Sequence, residues 1–265
     1  MTAPAGSTLL TEAPAGRHFA QFHRLTVGQD RRRDTLTESA VAFVEAGLRQ
    51  GDSVLVIAGV DQQDRMFERL AAEFRPKWLR DPGQLTVLDA GQTTAQCLVG
   101  GLPEWTPFRS VLAPVLSHLQ SSGRCTRVYS EMTNALWTAG QTEGAIRLED
   151  FWNIMAADYR FSLYCGYTMD THSEHAYAAP LEELGRTHSD IIGTPEDERF
   201  GVALDRASNE IFGIPLTQMA GVSRQDAARR FPSGQRTMLW VKRNLPMSTA
   251  QLAARARKYF GDIHA

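Results

Sequence analysis

Val54-Leu55-Val56-Ile57, preceded by Gly51-Asp52 and followed by Gly59, is the stretch on which the fold turns. A continuous apolar run rich in β-branched residues suits a strand covered on both faces. Upstream, the spacing predicts a helix from Asp34 to Arg49. Thr35 and Glu38 stand at capping-box spacing, and Gly51 supplies the stop. Leu36, Ala40, Val44 and Leu48 recur every four residues as its buried stripe. Downstream, Asp61 to Phe74 reads as a second helix, with Met66, Leu70 and Phe74 on one side.

The same alternation extends outward. His18-Phe19-Ala20-Gln21-Phe22, Leu85-Thr86-Val87-Leu88, Thr126-Arg127-Val128-Tyr129 and Phe161-Ser162-Leu163-Tyr164-Cys165-Gly166-Tyr167 read as strands. Helices are expected over 93–99, over 106–120 with Pro114 inside, and over 144–159. In the last of these Ile146, Phe151, Ile154 and Met155 are expected to face the sheet. Strands separated by helices imply parallel βαβ units, hence a three-layer α/β/α fold with a mostly parallel sheet.

After Asp170 the pattern changes. Helices are expected over 180–192, from Pro195 through Phe212 to Gly213, and over 216–231, 237–241 and 249–260, with one strand among the last segments. The expected organisation is a disordered leader (1–16), an α/β core (17–171) and a small, mainly helical, basic extension (172–265).

The chain has 265 residues, 43% hydrophobic and 22% charged, an ordinary globular composition. No apolar run approaches the roughly 20 residues that span a bilayer. Cys97, Cys125 and Cys165 form no CxxC pair, which fits a reducing, cytoplasmic setting. Cys125 and Cys165 are read as buried, inert thiols in strands. The net charge of −2 conceals an asymmetry: between Met219 and Phe260 the only acid, Asp226, faces nine Arg and Lys. Such separation suits a segment that meets an acidic partner, nucleic acid, a membrane surface or the protein's own core.

Several chemistries are excluded by missing motifs. The chain contains no Gly-Lys dipeptide, so no P-loop of the G-x-x-x-x-G-K-[ST] type exists. GxGxxG and the G-x-S-x-G elbow are also missing, and Gly100-Gly101 follows a helix rather than a strand. His172, His175 and His188 lack the tight spacing of a zinc site and read as solvated loop residues. No metal and no cofactor is expected. In open parallel sheets ligands bind beyond the carboxyl ends of the strands, where Gly59, Asp61, Asp89, Glu131, Tyr167 and Asp170 stand. Asp61 and Asp89 read as helix caps. Glu131 directly follows an apolar strand, where a buried carboxylate needs a partner.

Seven short segments, in order, resemble the MEDS family, the DcmR-type sensory domain of prokaryotic signalling proteins. They are His18-x-x-Gln21-Phe22; Phe43-Val44-Glu45-Ala46-Gly47-Leu48 with Gly51-Asp52; Val54 to Ala58; Leu88-Asp89-Ala90; Ser130-Glu131-Met132; Ile146 to Asn153; and Phe161 to Tyr167. The resemblance covers about 17–170. It implies a core related to RecA/KaiC-type ATPases with the nucleotide machinery lost, and a role in sensing small hydrocarbon-derived molecules. His18, Gln21, Glu131, Glu149, Trp152, Asn153 and Tyr167 are the positions carried over as ligand-binding. Trp152 would supply an apolar wall, and His18, Gln21 and Glu131 orienting polar groups. The alternatives are that Trp152 only packs helix on sheet and that Glu149 is a surface or capping charge. No phosphoacceptor helix or ATP-binding boxes of a histidine kinase follow the core.

The basic segment has its own reading. Met219-Ala220-Gly221-Val222-Ser223 before Arg224 to Phe231 resembles the corner of a helix-turn-helix, and Arg224, Arg229, Arg230, Arg255, Arg257 and Lys258 are its candidate phosphate or partner contacts. A basic helical cap that packs on an acidic core or mediates dimerisation is the simpler alternative. The sequence therefore predicts a non-catalytic sensor of a small ligand that signals through its helical region to a protein partner or a second copy. A ligand-responsive DNA-binding regulator is the alternative, and an enzyme using Glu131 is the third.

Overall fold

A computed structural model describes residues 5–24, 34–78, 83–221 and 230–262, and forms two compact units. The first comprises Met1–Ala20 and Thr26–Thr168, the second Gln21–Leu25 and Met169–Ala265. The chain passes into the second unit at Met169. A short segment near the start, Gln21–Leu25, also belongs to that unit, which the sequence did not suggest.

In the first unit, β1 (His18–His23) begins the core, and β2 (Ser53–Ala58), β3 (Leu85–Asp89), β6 (Thr126–Ser130) and β7 (Phe161–Thr168) follow. The main sheet has the order β3-β2-β6-β7-β1-β8, with β8 at Asp190–Ile192. β2 pairs in parallel with both β3 and β6, and β6 with β7, aligning Val56, Tyr129 and Tyr164 in one row. Every residue of β2 is buried, as its uniformly apolar run requires.

Alternation along the strands sorts the two faces. Tyr164 and Gly166 of β7 face α2 (Thr35–Gln50): Tyr164 lies 5.5 Å from the Phe43 ring, and a Cβ on Gly166 would meet Leu36 at 2.3 Å. Phe161, Cys165 and Tyr167 face the other way, towards α7 (Thr142–Asp158), where Trp152 stands edge-on to Phe161 at 5.9 Å. The three-layer α/β/α arrangement follows from these two faces.

Local details refine the expectations. The N-cap of α2 is Asp34, whose side chain accepts from Thr37 N, so the Thr35/Glu38 capping box does not form. Gly51 ends the helix with φ +83°. α3 (Val60–Trp78) starts earlier and ends later than expected, and the side chain of Phe74 lies outside the described residues. α4 (Ala90–Gln96) begins and ends three residues earlier than its sequence pattern. Val99 belongs instead to a hairpin of β4 (Leu98–Val99) and β5 (Leu102–Pro103), whose turn uses positive φ at Gly100 and Gly101. α5 (Trp105–Gln120) contains Pro114 as expected. In α7 the buried residues are Ala145, Leu148, Glu149, Phe151, Trp152 and Met155, whereas Ile154 is half exposed. The assignment of Ile154 to the sheet face is thus corrected.

The leader is not disordered throughout: Ala5–Glu12 is a helix, α1. Arg127 of β6, only 2% exposed, holds it by donating to the carbonyls of Leu10, Thr11 and Glu12, while its Nε bonds Asp52 at 2.6 Å. A buried guanidinium with this many acceptors is fully compensated.

The second unit is mainly helical, with α8 (Ala179–Thr187), β8, α9 (Pro195–Phe212), α10 (Leu216–Gly221), α11 (Ser233–Asn244) and α12 (Thr249–Asp262). The expected helix over 180–192 ends at Thr187, and Asp190–Ile192 is a strand. The expected segment 237–241 is the middle of α11, a longer helix. Thr194 and Asp197 form a reciprocal capping box at the start of α9. α9 and α11 cross closely: a Cβ on Gly234 would meet Asp197 O and Gly201 N at 3.1 Å. Among the described residues no helix is long and apolar enough to cross a membrane.

Candidate functional site

Apart from Gln21, the carried-over residues divide between two polar clusters on opposite faces of the sheet. The first lies between β7, β1 and α7. On α7, Ala145, Leu148, Glu149 and Trp152 recur at helical spacing and are all buried. Glu149 therefore enters the core, where its side chain is fully inaccessible. This corrects its reading as a surface or capping charge.

A buried carboxylate must be compensated. The Tyr167 hydroxyl donates to Glu149 Oε1. His18 Nε2 lies 3.0 Å from Glu149 Oε2. Cys165 Sγ lies 3.5 Å from His18 Nε2 and 3.7 Å from Glu149 Oε2. On the other side of the imidazole, His18 Nδ1 lies 3.0 Å from Asn153 Oδ1. An amide oxygen only accepts, so Nδ1 carries a proton and donates it to Asn153. His18, Cys165 and Tyr167 are all buried, while Asn153 is exposed and forms the outer edge. Burial, and then the neighbouring Glu149 charge, raise the ionisation of both the Cys165 thiol and the Tyr167 hydroxyl well above their ordinary ranges.

Trp152 backs the cluster. It meets Phe108 edge-on at 5.1 Å and Phe161 at 5.9 Å, forming an apolar wall. Its indole Nε1 is buried with no hydrogen-bond acceptor among the described residues. A single unmet donor of this kind costs on the order of 1–3 kcal/mol.

The second cluster faces α2. Glu131 Oε1 accepts from Tyr129 OH at 2.8 Å, and Oε2 accepts from Gly59 N at 3.0 Å. The Glu131 N–H donates to Ile57 O at 2.8 Å. Glu131 thus ties the end of β6 to the turn after β2. Burial raises its carboxyl above the usual range, opposed by the Gly59 and Tyr129 hydrogen bonds. Thr37 Oγ1 donates to Gln62 Oε1 at 2.9 Å, and Arg65 reaches both Gln62 and Asp34. Glu131 does not join His18. Gln21 is buried but belongs to the second unit.

Other candidates take simpler places. Asp89 caps α4 by accepting from Gln92 N at 2.7 Å, as expected, and Asp61 lies exposed in the first turn of α3. Cys125 is exposed, one residue before β6, so its reading as a buried strand thiol is corrected; Cys97 and Cys165 are buried. A surface groove of about 420 Å³ along α5, lined by Trp105, Arg109 and Ser117 among others, shares no residue with either cluster.

The second unit uses its own histidines and bases internally. His172 is not solvated: it stacks on Phe200 at 4.0 Å and meets Phe260 edge-on at 4.3 Å. Burial, reinforced by the Arg24 charge, lowers its pKa to about 4. His188 is likewise buried, whereas His175 is exposed. Arg230 donates to His188 O, Arg257 to His172 O, and Arg255 pairs with Glu210 at 3.0 Å. Arg243 pairs with Glu182 at 2.6 Å. Lys258 is exposed, and Arg224 and Arg229, with the rest of the helix-turn-helix candidate from Val222, lie outside the described residues.

Cys165 is the member of the first cluster that sequence reasoning missed. Its signal was present: it shares the inward face of β7 with Tyr167, two residues away. A family model described as MEDS, the methanogen/methylotroph DcmR sensory domain, matches residues 18–189. The match runs past the expected limit near 170 and takes in α8. No curated protein and no solved structure matches the chain.

Proposed function

Because this chain belongs to the MEDS family of sensory domains, we propose that it is a non-catalytic sensor whose ligand site is the cluster of His18, Glu149, Cys165 and Tyr167. The observation that carries this reading is the concentration of four bonded ionisable side chains, gathered around Glu149 on one face of the sheet. Apolar packing would satisfy the fold at lower cost, since buried ion pairs are commonly neutral or worse for stability. Groups of this kind in the core suit recognition of a small polar head. Trp152, with its apolar face and unmet Nε1 donor, suits the remainder of a small hydrocarbon-derived ligand.

The chain path suits transmission of the binding event. β1 carries His18 in the first unit and continues as Gln21–Leu25 of the second. β7 carries Cys165 and Tyr167, and the second unit resumes at Met169. A ligand that displaces these strands acts directly on the helical unit, which would pass the signal to a protein partner or a second copy. The internal use of Arg230, Arg255 and Arg257 favours this output over a DNA clamp.

The test is a thermal-shift screen of the full chain against short-chain alcohols, amines, thiols and halides. A stabilising compound whose effect is lost in Tyr167→Phe and Glu149→Gln supports the site. A compound that stabilises these variants as strongly as the natural chain places the ligand elsewhere.

A further inference from the structure

We infer that His18, Glu149 and Cys165 form a three-ligand site for a divalent transition-metal cation of zinc type. This deepens the proposed function, because it assigns chemistry to the same cluster.

The geometry is that of one face of a coordination tetrahedron. Zinc bonds of about 2.3 Å to sulfur and about 2.0 Å to nitrogen or oxygen place tetrahedral donor atoms roughly 3.3–3.6 Å apart. Here Sγ to Nε2 is 3.5 Å, Sγ to Oε2 is 3.7 Å and Nε2 to Oε2 is 3.0 Å. Imidazole, thiolate and carboxylate together suit zinc or a neighbouring first-row dication rather than magnesium or calcium.

The imidazole is oriented as a metal ligand is. Its Nδ1–H is committed to Asn153 Oδ1 at 3.0 Å, which turns the Nε2 lone pair inward. In that tautomer Nε2 and Glu149 Oε2 are two acceptors facing one another at 3.0 Å. Only a positive charge shared between them makes the contact favourable: a proton, or a cation. Glu149 is supported likewise, since its second oxygen accepts from Tyr167 OH.

Charge balance favours the exchange. With a proton on His18 the cluster of imidazolium, carboxylate and thiol is neutral. A dication entering displaces the imidazolium proton and the thiol proton, and the products are again neutral. The metal bonds replace one N–H and one S–H bond, and no oxidant or reductant is needed. The cluster therefore bears no net charge in either state, which a buried site requires.

The probe is Co²⁺, titrated into the full chain after removal of bound metal with a chelator. The site predicts a saturable near-ultraviolet thiolate-to-cobalt charge-transfer band at one equivalent, with intense visible bands of tetrahedral cobalt. The band persists in Cys97→Ser and Cys125→Ser and vanishes in Cys165→Ser. Asn153→Ala, an exposed change that leaves the core packed, weakens affinity about 10- to 100-fold through loss of imidazole orientation. Absence of the band in the natural chain at millimolar Co²⁺ overturns the assignment. So does a band that survives Cys165→Ser, or an affinity unchanged in Asn153→Ala. Should Co²⁺ fail while a screened compound still binds through Tyr167 and Glu149, the metal assignment falls and the sensor reading stands.

Discussion

His18 at the start of β1 and Glu149 in the middle of α7 meet at 3.0 Å in the core. The start of the family domain is thereby joined to α7 through one buried pair. Removing one partner leaves an uncompensated group, a loss typically of about 3–5 kcal/mol. His18→Ala and Glu149→Ala are each expected to cost that order in urea denaturation. The double variant is expected to cost less than their sum by at least about 1 kcal/mol. Strict additivity would show the pair to be energetically independent.

Arg127 predicts a local effect. Arg127→Ala removes the guanidinium that joins α1 to Asp52 and Gln50. The expected result is a loss of about 3–5 kcal/mol together with early protease cleavage within the first 16 residues. Arg127→Lys is expected to rescue only part, because an ammonium cannot span the same set of acceptors. Protection of α1 equal to that of the natural chain would contradict this.

In the second unit, two buried groups give opposing pH dependences. The Asp197 carboxyl is raised from 3.8 to about 6, chiefly by burial. Its contribution is fully present below about pH 4 and is lost as pH rises through about 6. His172 is lowered from 6.5 to about 4, so its contribution is present above about 6.5 and is lost as pH falls towards 4. The two slopes nearly cancel. Asp197→Asn is expected to expose a steeper loss of melting temperature on acidification from pH 6.5 to 4, and His172→Phe the reverse slope. Profiles parallel to that of the natural chain in both variants would contradict the assignment.

The crossing of α9 and α11 predicts an asymmetry between two glycines. Gly234→Ala forces a Cβ to 3.1 Å from backbone atoms of Asp197 and Gly201. A cost of about 1–3 kcal/mol is expected. At Gly201 the nearest atom is 3.5 Å away, an ordinary contact, so Gly201→Ala is expected to be near neutral. Equal costs, read from chemical denaturation, would show that the helices cross elsewhere.

The fold was legible where periodicity was strong. The apolar run of β2 and the four-residue stripe of α2 each admitted one reading, and both elements form as expected. Short or mixed segments misled. Asp190-Ile191-Ile192 is too brief to show alternation and was absorbed into the preceding helix. The segment expected over 237–241 is helical but longer, running from Ser233 to Asn244, with burial at Gly234, Met238 and Val241 following the helical period. The site was half legible. His18, Glu149, Asn153 and Tyr167 come together, and Glu131 stands apart because β6 turns its Tyr129 side towards α2. Glu149 could have been found from the residues alone, since a carboxylate in the stripe of Ala145, Leu148 and Trp152 must enter the core. Distances among side chains from β1, β7 and α7 depend on strand order, which no local pattern encodes.

The most direct test of the cluster as a sensor site is ¹⁵N NMR of the histidine imidazoles in the full chain, with the His18 signal assigned from His18→Gln. Addition of a compound that stabilises the chain in the thermal-shift screen is expected to move the His18 ring resonances and leave exposed His118 unchanged. A stabilising compound that leaves His18 unmoved would contradict the account.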